Sequence, residues 1–268
     1  MQNQGITLRL GCDKPVTLKS ARKNKLLAYQ HSGVIDVYLA NEVRRGHVVG
    51  PFDSPPMQNL HISSFGVITK KGQPVKWRLI VDLSSPQGHS VNDGIDPDSW
   101  HLQYIKRDDI IKVVSKFGPG ALMAKFYIDF AYRNIAVHPL DRRLLSLKWR
   151  NSYYMDLALP FGLRLAPAIF NSVADVVEWS LVNNYGIDDL LHYLDDFILA
   201  APANSSICAS NLHVAVSVVA TLSFPLHSQK CLGPASYTVV LGIEFDTMAK
   251  IARLASDKLT SIQDLLSQ

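Results

Sequence analysis

Cysteine is scarce in this chain of 268 residues: Cys12, Cys208 and Cys231 are odd in number and far apart. That excludes a disulfide framework and the paired spacing of zinc ligands, and it points to a reducing compartment. No apolar run approaches the roughly 18 residues that a membrane helix needs. The opening Met1-Gln2-Asn3-Gln4-Gly5 lacks the basic-then-apolar pattern of a secretory signal. The expectation is an intracellular protein of the cytoplasm or nucleus, not secreted and without a membrane partner. Internal repeats and low-complexity tracts are missing as well, which excludes solenoid and fibrous architectures. Charge of one sign is not in large excess. The net of +4, with 19% charged residues, is compatible with nucleic acid and does not demand it. Nothing in the chain speaks to its oligomeric state.

What is present is a 47% hydrophobic content, enough to build the core of one large domain or two modest ones. Lys14, Lys19, Arg22, Lys23 and Lys25 make the N-terminus basic, as either a nucleic-acid arm, a nuclear address or a solvated tail. Ser32 is placed to cap a helix from Val34 to Arg45, with Ile35, Leu39 and Val43 on one face and Gly46 ending it. Pro51, Pro55 and Pro56 then predict an extended connection. Ile62 to Leu83 reads as a β-hairpin joined by Lys70-Lys71-Gly72-Gln73-Pro74. Arg107 or Asp108 opens a helix with Ile110, Ile111, Val114 and Phe117 as its stripe, closed by Gly118-Pro119-Gly120. A strand from Ala124 to Phe130 and a hairpin, Leu144–Trp149 with Tyr153–Leu157, follow. Pro167 begins a helix with Phe170, Val173, Val177 and Leu181 at helical spacing. A strand over Tyr193–Ala200, a helix over Ser206–Leu222, a hairpin over Tyr237–Phe245 and a helix over Ser256–Leu266 complete the pattern. Helices alternating with antiparallel hairpins, without βαβ regularity, argue for an α+β class with a palm-like sheet and helices on one face.

Chemistry concentrates in Tyr193-Leu194-Asp195-Asp196, which lies inside the β-prone run Leu191–Ala200. A carboxylate taken out of water must be paired, protonated or bound to a metal. The pair therefore reads either as a hairpin turn or as half of a site for hard cations.

Several segments, in order, resemble the reverse transcriptases of retrotransposons, in particular those of DIRS-like elements. They are Lys76-Trp77-Arg78-Leu79-Ile80-Val81-Asp82-Leu83, the Ser84–Ile95 segment that follows, Leu159-Pro160-Phe161-Gly162-Leu163-Arg164-Leu165-Ala166-Pro167, Tyr193-Leu194-Asp195-Asp196, and then Pro225-Leu226, Lys230-Cys231 and Leu241-Gly242. The resemblance implies a right-hand polymerase with fingers and palm and a truncated thumb, since the residues after Gly242 are too few for a thumb that clamps a duplex. Its parts are a basic N-terminal arm and helix over 1–50, fingers and palm over 51–246, and the start of a thumb or connection over 247–268. It implies RNA-directed DNA polymerisation on an RNA or DNA template with primer, consuming dNTP. Two Mg2+ ions, or Mn2+ in their place, roughly 3.5–4 Å apart would activate the 3′-hydroxyl and stabilise the leaving oxygens. Asp195 and Asp196 would hold them. Lys70 and Arg78 would meet the triphosphate, Lys as a point charge and Arg as a planar fork. Phe161 and Gly162 would line the nucleotide pocket, Tyr132 would crowd a ribose 2′-hydroxyl, and Lys230 would protonate pyrophosphate. A ribonucleotide-incorporating polymerase is disfavoured by Tyr132.

The resemblance also exposes a departure. The family's third carboxylate stands five residues before the sugar-sensing tyrosine, and counting back from Tyr132 gives Tyr127. A phenol, with an ordinary pKa near 10, is a poor partner for a hard cation. Asp129 faces the same side in an extended strand but lies roughly 6.6 Å further on, so it substitutes only with a bulge or register shift. The expectation is a polymerase fold with severely weakened catalysis. The other reading is a non-catalytic nucleic-acid-binding remnant, because phosphate neutralisation and base stacking need no metal.

Overall fold

In the computed structural model, residues 7–8, 23–70, 73–96, 98 and 102–266 are described. The basic residues Lys14, Lys19 and Arg22 lie outside them. In chain order the first elements are β1 (Thr7–Leu8), α1 (Leu26–Gln30), α2 (Ser32–Arg44), β2 (Val48–Phe52), β3 (Ile62–Lys70), β4 (Gln73–Asp82), α3 (Arg107–Ser115), β5 (Leu122–Tyr127), β6 (Ala136–Val137), β7 (Ser146–Trp149) and β8 (Ser152–Asp156). Then follow α4 (Ala166–Tyr185), β9 (Leu190–Tyr193), β10 (Asp196–Ala201), α5 (Ile207–Thr221), β11 (Leu232–Ala235), β12 (Tyr237–Val240), β13 (Ile243–Asp246), β14 (Ile251–Leu254) and α6 (Ser256–Leu266). The chain divides into two compact units, one of residues 1–101 and 132–170, the other of 102–131 and 171–268.

The first unit is built on a five-stranded sheet in the order β2-β8-β7-β3-β4. Only the β3–β7 pairing, Ile62 opposite Ser146, is parallel. Phe65 and Val67 share the face of β3 that packs into the core; residues 63–67 are buried throughout, and Ile68 beyond them is exposed. Phe65 packs on Trp149 with ring centroids 5.7 Å apart, and Ile35 and Leu39 of α2 close the same cluster. Ser32 is the first residue of α2 rather than its cap; His31 precedes the helix and caps nothing with its side chain. The segment through Pro51 is not a bare connection but strand β2. Proline is tolerated there because β2 is an edge strand, paired only with β8 and with a register shift between Val49 and Phe52.

The second unit carries the antiparallel sheet β11-β5-β10-β9 and a smaller sheet β12-β13-β14. Register assigns the faces. Phe197 on β10 stands opposite both Phe126 of β5 and His192 of β9. Directly opposite residues in antiparallel strands share a face. The three rings accordingly form a column, with centroids 4.7 Å and 5.3 Å apart. On that face His192 Nε2 reaches the α4 carboxylates of Asp175 at 3.0 Å and Glu178 at 3.3 Å. Burial raises the Glu178 carboxyl above its ordinary value, and the His192 charge works against that rise. The other face carries Tyr127, Asp196 and, further along, Ile198, which packs with Ile110 of α3 and with Val240 and Phe245 of the small sheet.

Candidate functional site

The run Tyr193–Ala200 is not one strand. Tyr193 ends β9, Leu194 and Asp195 form a two-residue turn, and Asp196 begins β10 opposite Tyr193. Leu194 takes φ +54°, a left-handed conformation that costs a branched residue about 1–2 kcal/mol. The hairpin thus places Asp195 at its tip and Asp196 on the face shared with Tyr127, its register partner across the strand pair.

Tyr127 therefore stands against the acidic pair. Its hydroxyl donates a hydrogen bond to the Asp195 carboxylate. Burial raises the phenol well above its ordinary value, and that hydrogen bond and the nearby charges of Asp195, Asp196 and Asp129 add to the rise. Burial also raises both carboxyls. At Asp195 the Tyr127 hydrogen bond and the Lys230 charge oppose the rise; at Asp196 the Asp195 charge reinforces it, while Lys125 and Lys230 oppose it. The Lys230 ammonium sits over the Tyr127 ring, 3.4 Å from its centroid. The His227 ring meets the same tyrosine edge-on at 6.0 Å.

Asp129 does not continue the strand. β5 ends at Tyr127, and the backbone beyond it is held on both sides. Ile128 N–H donates to Asp195 O at 3.0 Å, Asp129 N–H to Pro225 O at 2.7 Å, and His227 N–H to Tyr127 O at 3.0 Å. Phe130 and Ala131 then turn through positive φ, and Asp129 Oδ1 accepts from the Phe130 N–H at 3.0 Å. No bulge or slip brings Asp129 into the place of Tyr127. Among the described residues, no group of three or more His, Cys, Asp or Glu is arranged to hold a metal ion.

In the first unit, Tyr132 packs on Phe161 at 5.2 Å and on Phe170 at 6.0 Å. Phe161 itself is 55% exposed. Gly162 has φ +93°, and a Cβ there would lie 3.1 Å from Val81 O of β4, so only glycine suits both the dihedral and the approach. Arg78 lies exposed on β4. Lys70 ends β3, and its side chain lies outside the described residues.

Two anchors escaped the sequence reading. Buried Asn92 donates to Gly162 O and to Ser84 Oγ, both at 2.9 Å, and accepts from the Arg164 N–H at 2.8 Å, clamping the loop that carries Phe161 and Gly162. Arg133, next to Tyr132, spends its guanidinium on Glu42 Oε2 (3.0 Å), Asp156 Oδ1 (2.6 Å), Ala158 O (3.1 Å) and His47 O (3.3 Å). The signals were present in the Ser84–Ile95 segment and in Arg133 beside Tyr132, but nothing in the sequence named their partners.

Comparison with known proteins bears on this geometry. The chain is 24% identical over 229 residues to the retrovirus-related Pol polyprotein from transposon 412 of Drosophila melanogaster, covering 84% of this chain and 16% of that protein. Among solved structures it resembles the foamy viral protease-reverse transcriptase in complex with RNA/DNA hybrid, with TM-score 0.73 and 15% identity over 98% of this chain and 32% of that one. The same protein in complex with dsDNA gives TM-score 0.72 and 16% identity, over 98% of this chain and 50% of that one. At such identity the structural likeness speaks to the fold alone, and the chain spans only a part of each relative. The family model of the reverse transcriptase (RNA-dependent DNA polymerase) matches residues 68–245, more than half of the chain, and includes both the Asp195-Asp196 hairpin and Tyr127. On that match the chain belongs to the reverse transcriptase family.

Proposed function

We propose that this chain is the fingers and palm of an RNA-directed DNA polymerase from a retroelement of the DIRS-like branch, with nucleotidyl transfer severely weakened by Tyr127. Its parts would be the basic arm and helix of 1–50, the fingers and palm of 51–246 and the start of a thumb or connection over 247–268. Its partners would be an RNA or DNA template with primer, and dNTP, within the cytoplasm or nucleus. Lys70 and Arg78 would face the triphosphate, Tyr132, Phe161 and Gly162 would form the wall of the nucleotide pocket, and Lys230 would supply the proton to pyrophosphate.

One observation carries the weakened activity: the register that sets Tyr127 opposite Asp196, with its hydroxyl donating to Asp195. Reverse transcriptases in general depend on divalent metal, and Mg2+, or Mn2+ in its place, is the ion this chemistry calls for. The residues present do not fit a pair of such ions. Two carboxylates remain, one of them already accepting from a phenol, and Asp129 is held in its own turn. The remaining residues fit substrate binding better than bond formation.

Primer extension on an RNA template, with Mg2+ or Mn2+ and with dNTP or rNTP, tests the proposal. The natural chain should extend little or not at all, and Tyr127→Asp should restore incorporation of dNTP over rNTP. Full activity in the natural chain would overturn the weakening. A folded Tyr127→Asp protein that binds primer-template in a salt-sensitive way yet never extends it would overturn the polymerase reading in favour of a binding remnant.

A further inference from the structure

We infer that the acidic hairpin of this chain is satisfied from within, by the Tyr127 hydroxyl on Asp195 and the Lys230 ammonium on the Tyr127 ring, and that it binds no divalent cation. The inference deepens the polymerase reading and rests on it only for the comparison with a metal-binding relative; the contacts themselves stand on this chain's geometry.

A hard cation at this hairpin needs free carboxylate lone pairs and room beside them. Tyr127 takes both. Its hydroxyl uses a lone pair of Asp195 as acceptor, and its ring fills the space on the shared face opposite Asp196. The countercharge is present as well. Lys230 Nζ lies 3.4 Å from the ring centroid, and its charge acts on both Asp195 and Asp196. Lys125, on the same face of β5, adds a second cation whose charge acts on Asp196, while its Nζ donates to Val239 O at 2.6 Å. Two ammonium groups thus offset two carboxylates where the family's chemistry uses metal.

The arrangement is also fixed in place. The hydrogen bonds from His227 N–H to Tyr127 O and from Ile128 N–H to Asp195 O tie the strand end to the hairpin on one side and to the 225–227 segment on the other. Buried Ile128 and Phe126, flanking Tyr127, anchor the strand from the opposite face. Tyr127 cannot leave the hairpin by a rotation of the strand, and moving the ring alone would strip the donor from Asp195.

The test is divalent binding by the whole chain, followed by electron paramagnetic resonance of Mn2+ and by calorimetry with Mg2+, with no turnover involved. The natural chain should show no saturable site, and Asp195→Asn should leave its Mn2+ titration unchanged. Tyr127→Asp should create a saturable Mn2+ site that the natural chain lacks, and a further Asp195→Asn change should abolish it. Circular dichroism confirms folding of each variant, and the Asp195→Asn arm on the natural chain decides the matter even if Tyr127→Asp misfolds. Saturable Mn2+ binding by the natural chain that Asp195→Asn removes would overturn the inference. A Tyr127→Asp protein that gains the ion yet fails to extend a primer would leave the inference standing and sink the polymerase reading alone.

Discussion

Replacing Arg133 by methionine removes the buried guanidinium that bridges Glu42 and Asp156. The Arg133 side chain is 3% exposed, and the two carboxylates it pairs with are 6% and 5% exposed. Methionine fills comparable volume, so the loss falls on charge rather than on packing. Breaking a buried ion pair from one side leaves uncompensated charge, here chiefly on Asp156 because Glu42 keeps Arg45 and His47 each at 3.1 Å, and costs about 3–5 kcal/mol. Lost hydrogen bonds to Ala158 O and His47 O fall within the same cost and are not additional to it. For a chain of this size the shift in midpoint is on the order of 10 °C.

The pH dependence supplies a second signature. In the natural chain burial pushes Glu42 up, but hydrogen bonding to His47 and the Arg133 charge outweigh it and hold the group below its ordinary 4.5. Its contribution is present above 4.5 and is lost as pH falls through the lower folded value. Asp156 runs the other way, because burial outweighs Arg133 and raises it above its ordinary 3.8, so it costs stability as pH rises through the folded value. Without the guanidinium both groups lose a charge that lowers them, so each rises relative to the natural chain. The Arg133→Met deficit should then be greatest at pH 7 and shrink toward pH 4, where both carboxyls take up protons in the folded state. Urea denaturation followed by circular dichroism at the two pH values measures it. A deficit below about 1 kcal/mol at pH 7, the size of a surface pair, or one that grows on acidification, would refute the reasoning.

Other substitutions probe the remaining supports. Phe197→Ala removes the middle ring of the His192–Phe197–Phe126 column, all of it buried, and should cost about 3–5 kcal/mol by denaturant unfolding. Gly162→Ala forces a side chain to φ +93° and sets its Cβ 3.1 Å from Val81 O; a loss of about 1–3 kcal/mol is expected, read as a shift in urea midpoint. An unchanged midpoint would show that the loop relaxes away from β4.

Legibility in the sequence followed the range of the forces involved. The β3–β4 hairpin, α3, α4, α5 and α6 were plain because alternation and helical spacing are local and long enough to average over exceptions. The break inside Tyr193–Ala200 was not, because Leu194 is an unlikely residue for φ +54° and the run reads as continuous β-former. β14, over Ile251–Leu254, and β11, over Leu232–Ala235, were missed because pairing partners rather than composition make them strands. At the site, Asp195, Asp196 and the departure at Tyr127 were singled out through the resemblance to reverse transcriptases. That Tyr127 donates to Asp195, or that Asn92 grips Gly162 across 70 residues of chain, could not, since such bonds exist only once distant segments meet.

The alternation of faces on β5 has a consequence for how such a chain persists. Phe126 and Ile128 are buried on one face of β5 and Tyr127 lies half-buried on the other beside the acidic hairpin, so a change at 127 leaves the Phe126–Phe197 stack untouched. A copy can therefore keep its architecture long after its chemistry is gone, and only a probe aimed at that single face distinguishes a working enzyme from its well-folded descendant.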